Sequence, residues 1–174
     1  NNGSLRDHVK GLVARTSQVS SYPDRFGNEG HAFFFQGNKD SYINLGIDPV
    51  LKQPVMSISL WVYVAQVIHK GDGIPHNPIL LTRSHVEEAF NEAYFIAYQF
   101  DMRSLHVATT ESELKQIHLY SPRVTKMREW HHIVMTFDDK ELKFYVDGLL
   151  EAESVKNFRS NFLAADSVML GSRA

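Results

Sequence analysis

The stretch WHHIVMTFDDKELKFYVDG, from Trp130 to Gly148, admits one local structure: two antiparallel strands that feed a tight turn into a third. Strand side chains alternate between faces, so Trp130, His132, Val134 and Thr136 share one face and His131, Ile133, Met135 and Phe137 the other. Asp138-Asp139-Lys140-Glu141 interrupts the alternation with turn-forming polar residues. Leu142, Phe144 and Val146 resume it, with Lys143, Tyr145 and Asp147 opposite. Asp147-Gly148 then supplies the pair that a two-residue hairpin needs, since both central positions take positive φ. A further strand, Leu149 to Ser154, follows. A meander of this kind must bury at least one face against another layer.

The rest of the chain repeats the pattern in shorter pieces. Leu12-Val13-Ala14 reads as a short strand after a polar start, and Asp24-Arg25-Phe26-Gly27-Asn28 as a loop. His31 to Gln36 and Ser41 to Gly46 are strands about the Gly37 turn. Ser57 to Ala65 is the strongest strand of all, and because it is apolar on both faces it is expected at the centre of a sheet. Ile79 to Thr82, Ala93 to Phe100, Ser104 to Thr109, Gln116 to Ser121 and Ser167 to Gly171 complete the set. Gln66–Asn77, Ser84–Asn91 and Asn157–Asp166 read as loops. No segment sustains a helical period, so the expectation is an all-β fold, a two-sheet antiparallel sandwich.

Composition narrows function. Hydrophobic residues are 43% and charged residues 22%, as in an ordinary globular domain, and 174 residues suffice for one core. A formal charge of −2 with no basic run argues against nucleic acid or an anionic membrane surface. No apolar span is long enough to cross a bilayer and no signal peptide is read here, which leaves a mature secreted product open because a cleaved signal leaves no trace. Cysteine is absent, which excludes disulfides and thiolate-bound metals.

Three separated motifs carry a resemblance. WHHIVMTFD with LKFYVDG, the DRFGN loop leading through the Phe35–Gly37 turn to Tyr42-Ile43, and the strand SISLWV resemble, in order, the laminin-G-like and pentraxin-like domains of the concanavalin A-like lectin/glucanase superfamily. The resemblance spans nearly the whole chain and implies a jelly-roll sandwich over residues 1–174, a single module of a larger protein. Against the family pattern, Gln36 stands where Asp is usual, and the first and last family strands are missing from this chain. That leaves trimming, or pairing of an incomplete sheet edge with another chain, as the expectation.

For function the resemblance implies a non-catalytic recognition module of a secreted, periplasmic or cell-surface protein. Carbohydrate is the first expected partner. A protein partner, in an adhesion or sensor role without a sugar site, is the alternative, and a glycan hydrolase or lyase a distant one. Retaining glucanases on this fold carry alternating carboxylates along one strand. No Glu-x-Asp-x-x-Glu run exists here, nor a nucleophile elbow or a zinc-protease motif, so catalytic residues are expected to be none. Calcium is a cofactor the resemblance permits, and Asn91 and Glu92 are the positions that match part of its site. His76-Asn77-Pro78 matches a fragment of the galectin sugar site without that family's arginine, tryptophan and glutamate.

Sugar recognition needs an aromatic face and hydroxyl-binding side chains in a shallow groove. Tyr94 and Tyr98 share one face of their strand, His106 is expected opposite them, and Tyr120 follows nearby. These four are the candidate ligand-binding residues. Trp61 and Trp130 are read as core residues. Nine histidines are present; His131 and His132 point to opposite faces of one strand, whereas His106 and His118 lie on strands close enough to meet.

Overall fold

The structure, a computed structural model, describes residues 5–6, 9, 11–53, 55–66, 78–84, 92–112, 115–155 and 167–171. The strands run in chain order as β1 (Arg15–Ser17), β2 (Val19–Tyr22), β3 (Ala32–Phe35), β4 (Tyr42–Gly46), β5 (Met56–Tyr63), β6 (Ile79–Ser84) and β7 (Glu92–Gln99). They continue as β8 (Ser104–Ser112), β9 (Lys115–Tyr120), β10 (Trp130–Phe137), β11 (Glu141–Val146), β12 (Leu149–Val155) and β13 (Ser167–Leu170). Among the described residues one 3₁₀ turn, Pro49–Lys52, starts where the Asp48 carboxylate accepts the Val50 N–H at 2.8 Å. Among the described residues there is no α-helix.

The expected sandwich is the observed one. A seven-stranded antiparallel sheet runs β1-β4-β13-β6-β7-β8-β9 and a four-stranded sheet runs β12-β11-β10-β5, with β2 and β3 forming a separate ribbon. The core lies between the two sheets. Tyr94, Ile96, Tyr98, Leu105 and Val107 of the large sheet meet Ile133, Met135, Phe137, Leu142 and Phe144 of the small one, each at most 4% exposed. Each such side chain removed from water contributes about 1.5–3 kcal/mol of gross driving force, which explains why the alternation along β10 and β11 fixes their register.

The turns follow from their residues. Asp147 has φ +52° and Gly148 +81°, the mirror-image turn that Asp-Gly favours. Asp138 Oδ1 accepts the N–H groups of Lys140 and Glu141, each at 2.8 Å. Those bonds hold its carboxyl below the usual range.

Five expectations are corrected. The early strand lies at Arg15–Ser17 rather than Leu12–Ala14, and Val13 forms only an isolated bridge with Arg6. The Ile79 strand extends to Ser84 and the Ser104 strand to Ser112. Among the described residues β5 is an edge strand, paired with β10 alone. Its second apolar face arises because Trp61 and Tyr63 lie on the outside of the small sheet with cross-strand aromatic neighbours. Trp61 stacks on His132 at 4.8 Å and Tyr63 tilts against Trp130 at 5.6 Å. Trp61 is 42% exposed, so neither it nor Trp130 belongs to the core cluster. The expected loop residues 67–77, 85–91 and 157–166 lie outside the described residues, as do His76, Asn77 and Asn91.

Candidate functional site

Tyr94 and Tyr98 do not face a ligand. Both point inward and both are 1% exposed. The Tyr94 ring packs against Phe137 at 5.7 Å. The Tyr98 hydroxyl donates to the Thr125 carbonyl at 3.3 Å, and burial raises its pKa. The physical reason is the pairing of Tyr98 with Leu105 and of Ile96 with Val107, which places these residues on the face turned to the small sheet. His106 pairs with Ala97 and therefore lies on the opposite face of the sheet from the two tyrosines.

On that outer face the sequence does build an aromatic surface. His106 and Tyr120 are cross-strand partners on β8 and β9, and their rings stack at 4.1 Å with an interplanar angle of 11°. His118, two residues before Tyr120, lies diagonally across from His106. Its Nδ1 is 2.9 Å from His106 Nε2, so one nitrogen carries the shared proton and the other accepts. Phe95 of β7 meets His106 edge-on at 4.9 Å and His118 at 6.0 Å. Ala97 and Ala108 form the floor beside Phe95. Phe95 and His106 are buried, His118 is exposed and Tyr120 is 38% exposed. Burial, and then the neighbouring His118, push the His106 pKa down to about 4, so this imidazole is neutral at physiological pH.

Two of the four expected residues, His106 and Tyr120, thus come together, and two sit in the core. Phe95 and His118 join the site although neither was a ligand candidate. The signal for Phe95 was the apolar character of the second face of β7, Phe95 and Ala97. Of the calcium positions, Asn91 is outside the described residues, and Glu92 opens β7 with its side chain likewise outside. Among the described residues, no group of three His, Asp or Glu side chains gathers as a metal site.

A second polar cluster lies at the end of the small sheet. His131 Nδ1 is 2.8 Å from Asp147 Oδ2 and its Nε2 is 2.9 Å from the Lys126 carbonyl. Asp147 Oδ1 accepts the His132 N–H at 2.8 Å. Burial alone would raise the Asp147 pKa; the bonds from His131 and His132 outweigh it and the carboxyl titrates below the usual range. Beside it Glu151 pairs with Arg123 and accepts from the Ser121 hydroxyl at 2.8 Å. The cleft these residues line holds about 150 Å³ and opens to solvent.

A laminin-G-like family model, described as the concanavalin A-like lectin/glucanases superfamily, matches residues 36–174. The chain belongs to that superfamily. No curated protein matches it in sequence. Among solved structures, the superfamily member resembles the binding domain of Paraclostridial Mosquitocidal Protein 1, at 16% identity and a TM-score of 0.72 over 99% of this chain. It spans 43% of that chain's length. It is also similar to domain 4 of AbnA, an extracellular arabinanase from Geobacillus stearothermophilus solved with arabinotriose, at 16% identity and TM-score 0.69, covering 98% of this chain and 79% of that one. A third similar structure is the Ruminococcus gnavus sialidase CBM40 bound to α2,3-sialyllactose, at 12% identity and TM-score 0.59, covering 92% and 79%. Mouse laminin α1 domains LG4-5 share the fold over 78% of this chain and 33% of theirs, at 12% identity and TM-score 0.56. At such identities these likenesses describe the fold.

Proposed function

We propose that this chain is a non-catalytic carbohydrate-recognition module of a larger secreted or cell-surface protein, and that its ligand stacks on Tyr120. The observation that carries the reading is the Phe95–His106–Tyr120 stack. One face of the Tyr120 ring is packed on a neutral imidazole, and the side chain remains 38% exposed on the outside of a sheet. A pyranose buries its C–H face on such a ring while an imidazole meets its hydroxyls, and His118 stands on β9 two residues from Tyr120, on the same face. Similar folds solved with arabinotriose and with sialyllactose support the same reading. Calcium is held in the proposal as a candidate bridge near Glu92.

A glycan array, run with calcium and again with chelator, tests this. Binding in both conditions that Tyr120→Ala removes is the expected result. Binding that only the chelator removes would relocate the ligand to a metal site. Absence of binding in either condition would sink the reading.

One observation favours a protein partner instead. Met56, Ile58, Leu60 and Val62 of β5 face the core cluster yet are only partly buried, at an edge that no described strand covers. An extended segment of another protein with apolar residues at alternate positions would complete that edge.

A further inference from the structure

The loop joining β2 to β3 presents a cation that is fixed in place and that no carboxylate among the described residues pairs with. Asp24 organises this loop. Its Oδ1 accepts the N–H groups of Phe26 at 2.9 Å and Asn28 at 3.0 Å, and its Oδ2 accepts from Asn28 Nδ2 at 3.1 Å. The backbones of Asp24 and Asn28 close on each other at 3.0 Å, and Gly27 takes φ +83°. The Asn28 side chain, together with the two backbone N–H groups, holds the Asp24 carboxyl below its ordinary range. That carboxylate is therefore committed to the loop and not to its neighbour Arg25.

Arg25 is held differently. Its guanidinium carbon is 4.2 Å from the centroid of the Phe26 ring and 4.2 Å from that of Trp61 on β5. Trp61 is itself seated on His132, whose Nε2 lies 2.8 Å from the Ser59 hydroxyl. Among the described residues Arg25 makes no hydrogen bond and no ion pair. Aromatic contact engages the π faces of a guanidinium and leaves its N–H edge free to donate. Phe26 is 71% exposed and Trp61 42%, so a flat apolar surface adjoins the charge.

We propose that Arg25, Phe26 and Trp61 form a second ligand site on the small-sheet side of the protein, for a glycan bearing an oxyanion group. The carboxylate of a uronic or sialic acid, or a sulfate ester, accepts two parallel N–H bonds from Arg25 while the sugar ring covers Phe26. A two-oxygen acceptor matches the guanidinium fork, and the fork is already ordered, so little side-chain entropy is lost on binding. Phe26 sets the class: an exposed flat ring beside the fork recognises a sugar face, whereas an acidic peptide needs the charge alone. This site stands apart from Tyr120, which lies on the other sheet, and the two are tested separately.

The test is calorimetric titration of the 174-residue chain with oligogalacturonate, dextran sulfate oligomer, neutral dextran oligomer and polyglutamate. The expected result is binding of at least one anionic glycan that weakens when salt rises from about 10 mM to about 150 mM. Which anionic glycan binds separates carboxylate from sulfate. Arg25→Gln lowers that affinity about tenfold or more, because charge and fork are both lost, and Arg25→Lys lowers it less because charge remains. Phe26→Ala weakens the same probe without touching the charge, and it reads the site even if Arg25→Gln fails to fold. Wild-type affinity in both Arg25→Gln and Phe26→Ala, or no binding of either anionic glycan, overturns the proposal. Polyglutamate binding as tightly as the best glycan overturns the glycan assignment.

Discussion

His106 and His118 share a single hydrogen bond, Nε2 to Nδ1 at 2.9 Å, between neighbouring strands on the outer face of the large sheet. His106 is 6% exposed and its pKa is pushed down to about 4, first by burial and then by His118. A histidine whose folded value lies below its ordinary 6.5 is protonated more readily in the unfolded chain. Its contribution is therefore fully present above pH 6.5 and is lost as pH falls towards 4, by up to roughly 3 kcal/mol. Urea unfolding across that window measures the loss, and His106→Gln flattens the curve there. Equal slopes in the two proteins would show that His106 does not control it.

Tyr120 and Tyr98 are expected to behave as opposites. Tyr120→Ala costs only about 1 kcal/mol of stability, the stack on His106, and weakens the glycan found on the array about tenfold, the value of one good aromatic stack. Tyr98→Ala, at 1% exposure, costs about 3–5 kcal/mol of stability and abolishes binding only by unfolding. Chemical denaturation and titration of both variants separate the two roles.

The Arg123–Glu151 pair is asymmetric. The Glu151 side chain is 1% exposed and that of Arg123 55%. Removing Arg123 leaves a carboxylate in the protein interior with the Ser121 hydroxyl for company. Arg123→Ala is expected to cost about 2–3 kcal/mol, less than a fully buried pair because the arginine is half in water. The double variant Arg123→Ala with Glu151→Leu recovers most of that loss. Denaturant midpoints give the comparison, and a double variant no more stable than Arg123→Ala would refute it.

Two glycines with the same backbone angle separate strain from collision. Gly148 has φ +81° with open space around a Cβ, so Gly148→Ala costs about 1 kcal/mol of backbone strain alone. Gly171 has φ +84°, and a Cβ there collides with Cδ1 of Phe35. Gly171→Ala costs more because the Phe35 ring must also shift. The order of the two thermal midpoints checks this.

Most of the fold was legible because strand pairing is written in short-range rules. The period-two alternation of Ile133, Met135 and Phe137, the Asp147-Gly148 turn and the Asp138 turn each depend on residues a few positions apart. So did the opposed directions of His131 and His132, one towards Asp147 and the other against Trp61. What alternation does not encode is which of two apolar faces turns inward. Tyr94 and Tyr98 alternate with Phe95 and Ala97 on one strand, and either set would serve as a core face. The choice was made by the whole large sheet, whose pairing puts Ile96 beside Val107 and Leu81 above the small sheet. Trp61 shows the same ambiguity at a sheet edge, where its ring meets the Arg25 guanidinium and the His132 imidazole, both remote in sequence. The sequence by itself determined the strands from His31 onward that lie among the described residues, their turns and the superfamily, because these rest on local dihedral preferences and alternation, whereas the polar strands β1 and β2 carry no such pattern. Only the tertiary structure decided which aromatics fill the core and which meet the solvent, because that depends on the layer lying across from each face.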